Sequence, residues 1–300
     1  MVSDNTKMRR KELFMKGHLA CQGCGSIIAM KAAIKTLGKN TVVVIPAGCW
    51  SVITGPFPHS AMKVPVMHVA FETSGSMASG LRAALDLEGR QDVNILAWAG
   101  DGGTFDIGLQ SLSGAAERNE NIIYICYDNE AYMNTGVQRS SATPYLCWTT
   151  TTPERYPKET PKKDIVEIMA AHRIPYAATA SIAYLDDFER KLKKAKEMKG
   201  TKFIHFLSPC PPGWRFPTEL TVKVARLATL TRIFPVYEVI NGKEHIINIA
   251  PREFVPVKEY FKLQGRFAHL RDEQIKEIQR RVDYDWETLL NKAMWERFEE

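Results

Sequence analysis

VNILAWAGDGGTFDIG, residues 93–108, is an apolar run that stops at Gly100-Asp101-Gly102-Gly103 before helical periodicity resumes. A second apolar run of the same kind, NIIYICYDNEAYMNTG at 121–136, ends in Asn129, so that 26 residues separate Gly102 from Asn129. Four further β-branched or apolar runs, TVVVIP at 41, VMHVAF at 66, IPYAATAS at 174 and KFIHFLSP at 202, share this character. Continuously apolar strands are what a parallel sheet covered on both faces requires. Between them SIIAMKAAIKTLG, SGSMASGLRAALDLEG, DIGLQSLSGAAERN, KKDIVEIMAAH and LDDFERKLKKAKEMKG have helical periodicity and end at Gly, Asn or His. Strands alternating with helices predict a doubly wound, mostly parallel α/β sheet with helices on both faces. Ligands of such a sheet sit beyond the carboxyl ends of its strands.

Asp101 and Asn129 then fall at the ends of two strands. If those strands are neighbours, two side-chain oxygens meet at one point, with the Ala131 carbonyl as a third. Mg²⁺ held against a diphosphate takes such hard oxygen ligands in octahedral geometry. Gly100, Gly102 and Gly103 allow the backbone to approach phosphates closely, and a helix expected to start near residue 105 offers free amides and the positive end of its dipole. The pair in this strand context resembles the thiamine diphosphate motif, in which GDG and a later Asn hold the magnesium diphosphate.

Composition narrows the rest. The chain has 300 residues, 45% of them hydrophobic, enough for a full core. No run approaches a membrane span, and no apolar segment follows the early charges Lys7, Arg9, Arg10, Lys11 and Lys16, so a cytoplasmic protein without a leader is expected. The net charge of +6 is dispersed, which argues against a nucleic-acid surface. In a reducing compartment six cysteines are more readily ligands, redox groups or buried thiols than disulfides.

Cys126 lies inside an apolar strand and reads as a buried small hydrophobe, while Cys147 has no evident companion. Cys21, Cys24, Cys49 and Cys210 remain: a Cys-x-x-Cys, a third cysteine 25 residues on and a fourth 161 further. By ligand count this set suits zinc or a [4Fe–4S] cluster, and Cys21 with Cys24 alone would suit a redox dithiol.

GHLACQGCG, PAGCWSVITGPFP, KVPVMHVAFETSGSMASG, WAGDGGTFDIGLQSL and YDNEAYMNTGVQRSSATP, in this order over residues 10–215, resemble the β subunit of pyruvate:ferredoxin oxidoreductase and its 2-oxoacid relatives. The resemblance implies oxidative decarboxylation of a 2-oxoacid on thiamine diphosphate, with electrons leaving through a [4Fe–4S] cluster to ferredoxin and the acyl group passing to coenzyme A. It further implies that Cys21, Cys24, Cys49 and Cys210 hold the cluster, that Asp101, Asn129 and Ala131 hold Mg²⁺, and that Asn134 faces the thiazolium and substrate with Thr135 beside it. An α-type chain bearing the pyrimidine-binding domain would supply the activating glutamate, and γ- or δ-type chains further clusters. Pyruvate is the leading substrate; branched-chain 2-oxoacids, 2-oxoglutarate, arylglyoxylates and oxalate are alternatives, as is a non-redox decarboxylase subunit with structural zinc.

Other readings are plainer. Ser26 stands where some single-chain relatives carry Glu. Trp50 is expected in the aromatic core; Phe57, His59 and Trp214 have no assigned contact; His18 is either a partner of the cysteines or an exposed turn residue; His68 and His205 are expected as satisfied core histidines. Residues 143–164, rich in Thr and Pro, form a long ordered loop or an arm. Residues 1–215 form the cofactor-binding domain; 216–300 form a mainly helical extension with a hairpin near Asn241-Gly242-Lys243 and a charged terminal helix.

Overall fold

A computed structural model of the chain describes residues 12–295; Lys7, Arg9, Arg10, Lys11 and the end of the WERFEE stretch lie outside them. From the N-terminus α1 (Gly25–Leu37) leads to β1 (Thr41–Pro46), α2 (Cys49–Ile53), β2 (Val66–Val69) and α3 (Ser74–Leu87). Next come β3 (Asn94–Gly100), a π-helical turn (Gly102–Asp106), α4 (Leu109–Glu117) and β4 (Ile123–Asp128). After a long irregular stretch follow α5 (Ile165–Ala171), β5 (Tyr176–Ser181), α6 (Leu185–Glu197), β6 (Lys202–Leu207) and α7 (Pro211–Trp214). The C-terminal part contributes α8 (Thr221–Leu230), β7 (Val236–Ile240), β8 (Glu244–Ile249), α9 (Val257–Phe261) and α10 (Asp272–Trp295).

All six expected strands form one sheet in the order β2-β1-β3-β4-β6-β5-β7-β8. The first six are parallel and β7 and β8 antiparallel, so the expected hairpin extends the sheet instead of standing apart from it. Strand periodicity sorts the two cores. Val43, Ile45, Leu96, Trp98, Ile123 and Ile125 pack under α1 and α6, while Val44, Ile95, Ala97, Ala99, Tyr124 and Cys126 pack under α3, α4 and α5. A third core of Trp214, Phe216, Val224, Val257, Tyr260 and Phe267 joins α7, α8 and α9 beyond β6.

The sequence leaves β1 toward β2 on one side and toward β3 on the other, which makes the carboxyl edge around β1 and β3 the topological switch point. Gly48, Cys49, Asp101, Asn129 and Cys210 all follow carboxyl ends of β1, β3, β4 or β6. No described helix is long and apolar enough to cross a membrane.

Two expectations change. The helix placed near residue 105 starts earlier, as the π-helical turn directly after Asp101, and only from Leu109 becomes α-helical. His68 is exposed, because β2 is the edge strand, where Met67 is exposed too and Val66 and Val69 are only half-buried, whereas His205 is buried and bonded to Asp128 at 2.7 Å.

The α3–α4 crossing yields a paired test. A methyl on Gly75 would stand 2.6 Å from the Ser111 carbonyl oxygen, whereas at Gly80 on the same helix it meets nothing within 4 Å. Gly75→Ala should lower unfolding free energy by about 1–3 kcal/mol. Gly80→Ala should raise it by roughly 0.5–1 kcal/mol, both read from denaturant midpoints.

Candidate functional site

The loops after β3 and β4 build the first half of the site. Strand pairing sets Gly100 beside Tyr127, so Asp101 and Asn129 leave the sheet at nearly the same level. Both are buried, as is Ala131. The Asn129 side-chain oxygen lies 2.9 Å from the Ala131 carbonyl oxygen and 3.0 Å from Asp101 Oδ1. Turned the other way, the Asn129 amide nitrogen would donate to both and close the loop on itself. With oxygen inward, the Asn129 oxygen stands about 3 Å from each of the other two, the edge of an octahedron whose bonds are about 2.1 Å. The donor set of carboxylate, amide oxygen and carbonyl is one that a small hard cation takes. Ser140 Oγ donates to Asp101 Oδ2 at 2.5 Å and fixes the carboxylate from behind.

The π-helical turn shapes the floor. A Cβ at Gly102 would stand 2.0 Å from the Tyr132 ring, so the ring lies directly on bare backbone. Tyr132 is held there by its hydroxyl, which donates to Asp106 Oδ2 at 2.7 Å; Ser141 donates to the same carboxylate through its amide at 3.2 Å and through its hydroxyl. Thus the consecutive serines Ser140 and Ser141 grip Asp101 and Asp106, the acids just before the π-turn and at its end. The resulting cavity of about 310 Å³ is lined by Gly48, Cys49, Gly100–Gly103, Tyr127, Asn129 and Ala131–Thr135. Asn134 and Thr135 are exposed at its mouth, where Thr135 Oγ1 donates to Gln138 Oε1 at 2.6 Å.

The cysteines form the second half. Cys24 caps α1, Cys49 begins α2 and Cys210 caps α7, and backbone amides, that of Gly213 among them, bond the Cys49 and Cys210 sulfurs. A turn joins Cys24 N–H to the Cys21 carbonyl at 3.2 Å, and Cys21 is exposed. Burial pushes the Cys49 and Cys210 thiols up to about 12, and the charges of Cys24 and Cys21 add to this at both positions. The four thiols are therefore within electrostatic reach of one another, and the two buried ones, Cys49 and Cys210, resist ionising without a cation. Among the described residues no three His, Cys, Asp or Glu side chains converge on one mononuclear position. Gly48, at φ 147°, allows the turn that brings Cys49 to the cavity wall.

Ser26 and Trp50 tie these turns together. The Trp50 indole N–H donates to Ser26 Oγ at 3.0 Å, and that oxygen lies 3.1 Å from Cys24 Sγ. Trp50 is fully buried against Phe14, Trp98 and Tyr127, the core role expected of it. Cys126 and Cys147 are buried apart from the four. His18 packs on Phe14 and accepts from the Ala20 amide at 3.4 Å, while Phe57 and His59 are exposed and line no part of the cavity.

Electrostatics organise the floor from beneath. Burial, then the Asp128 charge, push the Asp101 carboxyl well above the usual range. Burial also opposes ionisation of Asp128, but Lys162 and the His205 hydrogen bond outweigh it and hold that carboxyl below the usual range. Lys162 comes from the Thr/Pro stretch and also donates to Glu130 at 2.8 Å. Tyr132, Ser140, Ser141, Asp106 and Lys162 stand inside stretches quoted above without a role assigned to them, Ser26 is noted there only for standing where some relatives carry Glu, and nothing local marks Lys162. Gly102→Ala should drive Tyr132 off the floor, lower the unfolding free energy by about 1–3 kcal/mol and weaken thiamine diphosphate binding at least about tenfold by calorimetry.

Comparison with known proteins shows the family. Residues 46–206 match the family model of the thiamine pyrophosphate enzyme C-terminal TPP binding domain. The chain is 49% identical to the ketoisovalerate oxidoreductase subunit VorB of Pyrococcus furiosus, over 97% of this chain and 98% of that one. It is 51% identical to the pyruvate synthase subunit PorB of Methanothermobacter thermautotrophicus, over 92% and 97%. A solved 2-oxoglutarate:ferredoxin oxidoreductase from Magnetococcus marinus, with 2-oxoglutarate, coenzyme A and succinyl-CoA bound, shares the fold at a TM-score of 0.60 and 22% identity, over 74% of this chain and 81% of that one. The relatives are named as subunits, which makes this chain one component of a multi-chain enzyme. It belongs to the thiamine diphosphate-binding subunits of the 2-oxoacid:ferredoxin oxidoreductase family.

Proposed function

We propose that the chain catalyses, within its complex, the oxidative decarboxylation of pyruvate with coenzyme A, passing electrons to ferredoxin. The observation that carries this reading is the convergence of the Asp101, Asn129 and Ala131 oxygens in a cavity whose wall includes Cys49. When bound, thiamine diphosphate supplies the electron sink that cleavage of a 2-oxoacid needs. Asp101, Asn129 and the Ala131 carbonyl would hold Mg²⁺ against the diphosphate, and Gly100, Gly102 and Gly103 give the phosphates access to backbone. Asn134 and Thr135, at the mouth, would meet the substrate and orient its polar groups. Cys21, Cys24, Cys49 and Cys210 would hold a [4Fe–4S] cluster, with Cys49 nearest the cavity so that single electrons travel a short way.

The partners follow from what the cavity lacks. Its lining contains one carboxylate, Asp101, which faces the cation position. A glutamate to activate the pyrimidine ring must come from an α-type chain, and the exposed mouth at Asn134 and Thr135 gives that chain a place to close the site. Further γ- or δ-type chains would carry electrons onward to ferredoxin. A second reading, a branched-chain 2-oxoacid as substrate, is favoured by the near-equal identity to the ketoisovalerate subunit.

Anaerobic purification of the complex, followed by a 2-oxoacid panel with coenzyme A and a low-potential dye, tests the reading. Pyruvate should give the highest kcat/KM; no dye reduction with any 2-oxoacid, or zinc in place of iron and labile sulfide, would overturn it. Asp101→Ala should weaken magnesium-dependent thiamine diphosphate binding by more than the roughly 10–100-fold typical of residues that only support a ligand. Cys21→Ser should lower iron content and slow dye reduction more than it weakens thiamine diphosphate binding, measured side by side by metal analysis, turnover and calorimetry.

A further inference from the structure

We propose that Trp214 is a positioning residue that joins the Cys210 turn to the loop after β4, so that the thiamine diphosphate site and the four-thiol site stabilise one another. The inference rests on the proposed function and adds a coupling between its two cofactor sites. Trp214 is fully buried, and its indole N–H donates to the backbone carbonyl of Asn129 at 2.7 Å. That carbonyl belongs to the same residue whose side-chain oxygen faces Asp101. The amide of Trp214 donates to the carbonyl of Cys210 at 2.8 Å, so one residue is bonded both to a candidate cluster ligand and to a candidate cation ligand.

A second contact runs parallel to the first. A Cβ on Gly213 would stand 2.2 Å from Met133 Sδ and 3.4 Å from Cys210 Sγ, so Met133, which lines the cavity, lies against the Cys210 turn with no side chain between them. Substituting Gly213 would force the two loops apart.

Arg266 locks the assembly from the C-terminal part. Its guanidinium carbon lies 3.6 Å from the Trp214 ring centroid, and its Nη2 pairs with Glu130 Oε2 at 2.7 Å. Glu130 is the residue after Asn129, so the guanidinium engages both the indole and the loop that the indole bonds. Gly265 N–H, from the same segment, donates to the Arg215 carbonyl at 2.9 Å and holds the end of α7. Order in either site is therefore order in residues 210–216 and 129–133 together. Binding free energies coupled in this way are reciprocal: whatever the cluster does for the thiamine site, the thiamine site does for the cluster.

The test is the dissociation constant of thiamine diphosphate with Mg²⁺, measured by calorimetry on the anaerobically purified complex before and after iron is removed with a chelator. Iron removal should weaken binding about tenfold in the unsubstituted complex, inside the range usual for coupled sites. In Trp214→Phe, which keeps a buried ring and deletes the indole donor, iron removal should change it by less than about threefold. An equal loss in both proteins, or none in the unsubstituted one, overturns the inference. Amide exchange in the unsubstituted complex gives a check that needs no variant: thiamine diphosphate with Mg²⁺ should slow exchange across 211–216 as well as 129–135. Slowing confined to 129–135 also overturns the inference. A complex isolated without iron would instead overturn the proposed function on which it rests.

Discussion

The site depends on one register, that of β3 against β4. Parallel pairing of Gly100 with Tyr127 brings Asp101 and Asn129 out of the sheet together, and every later contact assumes it. A slip of one residue would send alternate side chains of β4 to the opposite face, burying Asp128 where Tyr127 packs and carrying Asn129 away from Asp101. The alternating cores make that slip costly, because Tyr124 and Cys126 on one face and Ile123, Ile125 and Tyr127 on the other are all buried. The same hydrophobic pattern that specifies the sheet thus specifies the position of the polar groups at its end.

That position brings a liability, since the loop after β4 carries Asp128 and Glu130 into the interior. Buried carboxylates persist when paired and hydrogen-bonded. Lys162 reaches both, His205 bonds Asp128, and Arg266 bonds Glu130. Each partner comes from a different part of the chain: the Thr/Pro stretch, β6 and the segment before α10. The Thr/Pro stretch at 143–164 and the C-terminal part are thereby structural members of the site, although neither lines its cavity. Loss of either cation would leave a buried carboxylate short of charge immediately beside the candidate metal ligands.

Local pattern made much of this legible. The six apolar runs are the six parallel strands, and GDG and its later Asn fall at the ends of two neighbouring ones, as the apolar runs before them lead one to expect. The four cysteines could be grouped by elimination, since Cys126 sits within an apolar run and Cys147 has no companion. What stayed hidden depends on contacts distant in sequence. Nothing around Lys162 or Arg266 announces a buried ion pair, and Trp214 looks like any core aromatic until its N–H is seen against the Asn129 carbonyl. His68 was misjudged for a related reason, because an apolar strand does not declare whether it is central or at an edge. The π-helical turn was missed because an α-helix and a π-turn have the same composition over five residues.

The grip of Ser140 and Ser141 on Asp101 and Asp106 has the character of a vernier. Two adjacent residues on an irregular strand are matched to two acids five apart on a coil whose extra residue per turn brings them level. Both ends of the segment between Asn129 and Ser140 are consequently fixed to the same short piece of backbone, and its length is set. Insertions or deletions there would unseat one serine or the other. Diversification of this scaffold toward larger or smaller substrates is thus channelled into exchanging side chains at positions such as Met133, Asn134 and Thr135, or into the neighbouring chain, with the contour of the loop left intact.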